Sequence, residues 1–127
     1  KVLKNNSTQY TGSTYGVSGT DIIGIALDLD NNYVYFAKNG TYQNSGDPTS
    51  GATGTGGVAI DADTTWFLGS TTHSLSSSGL KISFANFGSP PYAISSGNAD
   101  GNGYGNFEYA VPSGYFALCS KNLAEHG

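Results

Sequence analysis

The sequence predicts an all-β fold, an antiparallel sandwich or barrel built from short strands. Three observations lead there. Short apolar runs alternate in and out every second residue, the ~2-residue period of a half-buried strand. No stretch of ten or more residues shows the ~3.6-residue period of a helix. Glycine supplies 19 of the 127 residues and charged residues only 11%, while nine Tyr and six Phe carry much of the apolar content, a turn-rich, extracellular-type composition.

The elements follow in order. Residues 1–20 are polar with scattered Tyr and suit a lead-in loop or an edge strand. In "DIIGIALDLDNNYVYFAKNG", residues 21–40, Ile23, Ile25, Leu27 and Leu29 share one parity. Gly24, Ala26, Asp28 and Asp30 share the other, so the apolar set is expected to face the core. Asp30-Asn31-Asn32 is turn chemistry, because Asp and Asn bond their own backbone and tolerate left-handed geometry. Val34 and Phe36 are expected inward on the return strand, with Tyr33 and Tyr35 pointing the other way. Asn39-Gly40 marks a two-residue hairpin. Residues 43–57 read as a long Gly/Ser/Thr loop, followed by a short strand at Val58 and Ile60 and another around Trp66-Phe67-Leu68. "LKISFANFG" alternates with Leu80, Ile82 and Phe84 inward. The Pro pair in the next loop rules out a central strand there. "FEYAVPSGYFALCSKNL" reads as a last strand and a tail that packs back on the sheet.

Charge and cysteine content exclude several functions. Five Lys, no Arg and nine acids leave a net charge of -4, with no basic surface for phosphates, so no nucleic-acid partner is expected. No apolar run reaches the ~18 residues of a membrane span. Cys119 is the one cysteine, so no intrachain disulfide staples the fold, and a small buried thiol is expected. The chain holds no Met and begins at Lys1, which points to a processed or partial chain.

Several stretches resemble the SPRY domain, a concanavalin-like β-sandwich family. Asp21, Gly24, Leu27, Asp28, Phe36, Lys38, Asn39 and Gly40 fall in order on its central signature. In "LKISFANFGSPPY", Phe84, Asn86, Phe87 and Gly88 look like its late strand. The closing "PSGYFALCSKNL" is similar to a tail that follows SPRY-like modules in phage and phage-like virion proteins. The family's N-terminal strands are absent, so the resemblance implies a jelly-roll sandwich that begins midway or is completed by another chain. It implies a lead-in over 1–20, the C-terminal portion of the module over 21–112 and a tail over 113–127. It also implies a non-enzymatic structural or adhesion module at the virion surface, a tail fibre, spike or capsid decoration. The implied partners are virion or filament subunits in a homo-oligomer and a host-surface glycan or protein receptor. A lectin-like domain of a secreted non-viral protein is the alternative, and a hydrolase fragment the third reading.

Candidate chemistry is sparse. Asp28, Asp30 and Asn32 imitate the start of a calcium loop, but Tyr33 and Asn39 stand where that loop needs Gly and Glu. Asp61 and Asp63, beside Thr64, make a second acidic pair; at about 7 Å on a strand, geometry does not forbid a glycosidase role, but nothing else supports one. His73 and His126 are the only histidines, and no G-x-S-x-G elbow is present. "GNGYGN", 101–106, has phosphate-loop-like glycines without the lysine or the strand-to-helix context. The chain is therefore read as a binding module without metal or cofactor. Its ligand-binding candidates are Tyr42, Trp66, His73, Tyr92 and Tyr104, aromatics and a histidine in or beside loops, with Tyr10 and Tyr15 as further loop aromatics. Sequons stand at Asn6 and Asn39; the second, in a tight turn, is a poor acceptor.

Overall fold

A computed structural model describes residues 1–12, 21–69 and 83–126. All its strand pairings are antiparallel, and its one α-helix among these residues is seven residues long, so the chain is an all-β protein. Strands β1 (Val2–Lys4) and β2 (Ser7–Tyr10) form a two-stranded sheet. Asn5 and Asn6 turn it, both at positive φ (50° and 63°), the left-handed pair that a tight hairpin requires. The first ten residues of the predicted lead-in thus form a hairpin of their own.

The main sheet pairs β3 (Ile23–Asp28) with β4 (Tyr33–Lys38). On its other side β4 pairs with two short strands, β5 (Thr41–Tyr42) and β6 (Val58–Ala59). Asn39 and Gly40 form the β4–β5 hairpin with φ of 49° and 78°, as the dipeptide predicts. The first signature residue locks this corner. Asp21 is ion-paired with Lys38 at 3.1 Å and accepts from Asn39 Nδ2 at 3.0 Å, while Asn39 Oδ1 accepts the Ile22 N–H at 2.8 Å. The motif that resembles a family signature therefore closes a turn.

The parity of the β3–β4 hairpin holds, but its burial is reversed. Ile23, Ile25 and Leu27 are exposed, and Leu29 beyond them is too. The face expected to point away holds the core: Tyr35 is 1% exposed, and Ala26 and Ala37 are buried beside it. The reason is the loop that follows β5. It contains two short 3₁₀ segments, Gln43–Ser45 and Pro48–Thr53. Asp47 organises the second, accepting from Thr49 N–H at 2.9 Å and Thr49 Oγ1 at 2.6 Å, and these bonds lower the Asp47 pKa. The loop's glycines then lay bare backbone on the tyrosine rings. A Cβ at Gly54 would lie 2.2 Å from Tyr33 Cζ, and one at Gly57 2.7 Å from Tyr35 Cε1. No residue with a side chain allows that approach.

Gly56 joins both constraints. Its φ is +66°, and a Cβ there would lie 2.4 Å from the Asn44 carbonyl oxygen. Gly56→Ala is expected to cost about 1–3 kcal/mol in chemical denaturation. Gly51→Ala, also at positive φ but with open space around its Cβ, is expected to cost less. Equal costs for the two would show that the loop does not pack down on itself.

Three other expectations need correction. Residues 64–69 form no strand, and Phe67 is 89% exposed; among the described residues no strand pairs with them. Residues 83–88 form no strand either, and Phe84 is exposed, its ring tilted 50° against Tyr92 at 6.3 Å. Leu80 and Ile82 lie outside the described residues, as do Tyr15 and His73. The expected last strand reduces to one bridge, Asn98 with Phe107, on either side of one Gly-rich turn that the Gly103 N–H closes on the Asp100 carbonyl, while Glu108 turns to Ser95 and Ser96. The tail carries α1 (Ser120–His126).

Candidate functional site

The region around α1 is built on one carboxylate. Asp100 opens the Asp-Gly-Asn-Gly-Tyr turn, and its Oδ1 accepts the N–H groups of Asn102 and Tyr104, both at 2.9 Å. Its Oδ2 accepts the Ala117 N–H at 2.8 Å and Asn122 Nδ2 at 2.7 Å. Asn122 also donates to the Ala117 carbonyl at 2.9 Å and accepts from Asn102 Nδ2 at 2.8 Å. Asp100, Asn122 and Ala117 are all buried. Burial pushes the Asp100 carboxyl up, but the donors from Ala117, Asn122, Tyr104 and Asn102 outweigh it and hold the pKa at about 2.

This geometry answers the phosphate-loop resemblance of 101–106. Two of the loop's N–H groups are turned inward onto the chain's own carboxylate, so they are not presented to an external anion. Neither Asp100 nor Asn122 stood out in the sequence. The available signal was Asp-Gly-Asn-Gly, since Asp bonds the backbone two residues on in such turns.

The pinned Ala117 sets the surface around it. Its neighbours Phe116 and Leu118 face outward and are exposed. Leu118 and Cys119 line two shallow grooves. One, of about 420 Å³, continues along Phe87, Ser89, Tyr104 and Lys121. The other, of about 230 Å³, runs between Phe116, Asn122 and Leu123. Tyr104 is held from two sides: its hydroxyl donates to Glu125 Oε2 at 2.6 Å, and Lys121 Nζ stands 5.0 Å from its ring centroid. The bond to Glu125 raises the phenol pKa, with burial adding to it. Cys119 is half-buried and unbridged.

The four sequence candidates among the described residues lie in different settings. Tyr104 lines the larger groove. Tyr42 is half-buried on β5, where burial raises its pKa. Trp66 is exposed in coil after β6, and Tyr92 packs on Phe84. His73 lies outside the described residues. The acidic candidates have structural partners. Asp28 accepts Asn31 N–H and Nδ2, each at 2.9 Å, and so shapes the β3–β4 turn. Asp61 is ion-paired with Lys4 at 2.9 Å. Among the described residues no three His, Cys, Asp or Glu side chains gather as a metal site would require, and no helix is long and apolar enough to cross a membrane.

Compared with protein-family models, with curated proteins and with solved structures, the chain matches none.

Proposed function

We propose that this chain is a non-enzymatic assembly and adhesion module of a virion or filament surface, with a SPRY-like sandwich architecture. The observation that carries the reading is the apolar face of the main sheet, which stands exposed among the described residues. Ile23, Ile25 and Leu27 stand opposite Lys38, Phe36 and Val34 across β3 and β4, and the Ile and Leu side chains are exposed. A sheet face of this kind is stable in water when a second layer covers it. In this proposal, further residues of the protein or another subunit supply that layer, and the sandwich is complete only in the assembly. The test is immunogold labelling of particles or filaments purified from the culture that produces the chain. Labelling at a regular repeat is expected; label confined to the soluble fraction would overturn the reading.

One observation favours a lectin-like second reading. Tyr104 is a fixed aromatic platform in an open groove, flanked by Lys121 and Glu125, groups able to bond sugar hydroxyls. Here glycan-array signals are expected that fall at least about tenfold for Tyr104→Ala, a loss of stacking and orientation together. An array without signals, or one unchanged by the substitution, removes this reading.

A further inference from the structure

The most exposed cluster of large apolar side chains around one fixed point is the ridge formed by the C-terminal segment. Leu118 is 76% exposed, Leu123 69%, Phe116 56% and Phe87 42%. Leu118 lines both grooves, Phe87 lies along the larger and Phe116 and Leu123 along the smaller, so the four form one continuous surface. It is also held firmly. Ala117, between Phe116 and Leu118, is fixed through its N–H by Asp100 and through its carbonyl by Asn122. An anchor already fixed in place loses little entropy on binding.

We infer that this ridge is a self-association surface, whose partner is a second copy of this chain related by a two-fold axis. The inference rests on the assembly reading above and adds to it a second contact, separate from the open sheet face. Three features point to a second copy. First, the patch carries both a projection, Phe116 and Leu118, and grooves immediately beside it. An isologous interface needs projection and recess on the same surface, because each copy must fill the other. Second, the area fits. At about 200 Å² per fully exposed large side chain, the four leave on the order of 500 Å² of apolar surface. Two copies bury on the order of 1,000 Å², where specific interfaces begin. Third, the rim is charge-balanced although the chain carries a net charge of -4. Lys121 and Glu125 flank Tyr104, so a two-fold can set each lysine against the glutamate of the other copy.

Sedimentation equilibrium of the full chain tests this, with Leu118→Asp, Ile25→Asp and Leu3→Asp beside the wild type. The Ala117 amide resonance reports that each variant keeps its C-terminal segment folded. The wild type is expected to show a concentration-dependent monomer–dimer equilibrium. Leu118→Asp, which places a charge at the centre of the patch in both copies, is expected to weaken it about 100-fold. Ile25→Asp on the open sheet face and Leu3→Asp on β1 are expected to leave it within about threefold. A wild type that stays monomeric up to millimolar concentration overturns the inference. So does a dimer that survives Leu118→Asp, or one that Ile25→Asp breaks instead. These results separate from the assembly reading: particles labelled by the antibody with a monomeric free chain would reject the ridge contact and keep the assembly role. A Leu118-dependent dimer absent from any particle would do the reverse.

Discussion

Tyr35→Ala is expected to lower the unfolding free energy by about 3–5 kcal/mol, the range for removing a buried aromatic side chain. Tyr35 is the one large side chain less than 2% exposed among the described residues. Its ring lies against Tyr33, with centroids 6.4 Å apart, and under the bare backbone of Gly57. The other buried apolar residues of this sheet are small, Ala26, Ala37 and Val58, too small to fill the space. Tyr35→Phe should behave differently. The Tyr35 hydroxyl is buried without a hydrogen-bond partner, and an unmade buried bond costs about 1–3 kcal/mol. Phenylalanine keeps the ring and removes that cost, so this variant is expected to match or exceed the wild type. Urea denaturation of the two variants beside the wild type provides the measurement. A Tyr35→Phe variant clearly less stable than the parent would mean that the hydroxyl is satisfied in solution, and a mild Tyr35→Ala would mean that the loop does not cover the ring.

Asp100→Ala is expected to release the C-terminal segment from the 100–104 turn. Four hydrogen bonds end on this carboxylate, two from the turn and two from the segment that carries α1. Its removal leaves the Ala117 N–H and one Asn122 donor contact unmade, and the loop loses the acceptor that closes it. Amide exchange of Ala117 and of Leu123, whose N–H donates to the Cys119 carbonyl at 3.1 Å, should accelerate by at least about tenfold. Exchange in β3 and β4 should change far less, since no bond of this network reaches them. Acid should act in the same direction. The Asp100 pKa is about 2 in the folded chain and about 3.9 in an unfolded one. A carboxyl with a depressed folded pKa adds stability that is fully present above the unfolded value. That contribution is lost as pH falls from about 4 through about 2. The Ala117 resonance should shift across that window in the wild type, and Asp100→Asn should flatten the transition. A C-terminal segment equally protected in Asp100→Ala would show that other contacts hold it.

Local backbone chemistry was legible in the sequence wherever one or two residues decide it. Asn39-Gly40 turns the β4–β5 hairpin because both residues reach positive φ at low cost. The period of β3 and β4 gave their extent and pairing, since alternation is a property of the strand itself. The turn roles of Asn31 and Asn39 followed from their own backbone preferences and short side chains. None of this required knowledge of the rest of the chain.

Which face of the strands is covered was a different kind of question. Parity separates the Ile/Leu face from the Gly/Ala/Tyr face, but burial depends on what lies opposite, and that is set by a segment some twenty residues downstream. The glycines at 54 and 57 read as loop punctuation in the sequence, and only the tertiary structure shows them as the bed of two tyrosine rings. Likewise, Asp100 and Asn122 are 22 residues apart and unremarkable in the sequence. Their meeting depends on a loop closure that no local pattern encodes, because buried polar groups are placed by the fold that buries them. The sequence by itself determined the alternation of β3 and β4 and the turns at 30–32 and 39–40, which rest on interactions within a few residues. The tertiary structure alone decided the buried face, the carboxylate that anchors the C-terminal segment, and the apolar ridge that this anchor holds out to solvent. Each of these depends on long-range packing.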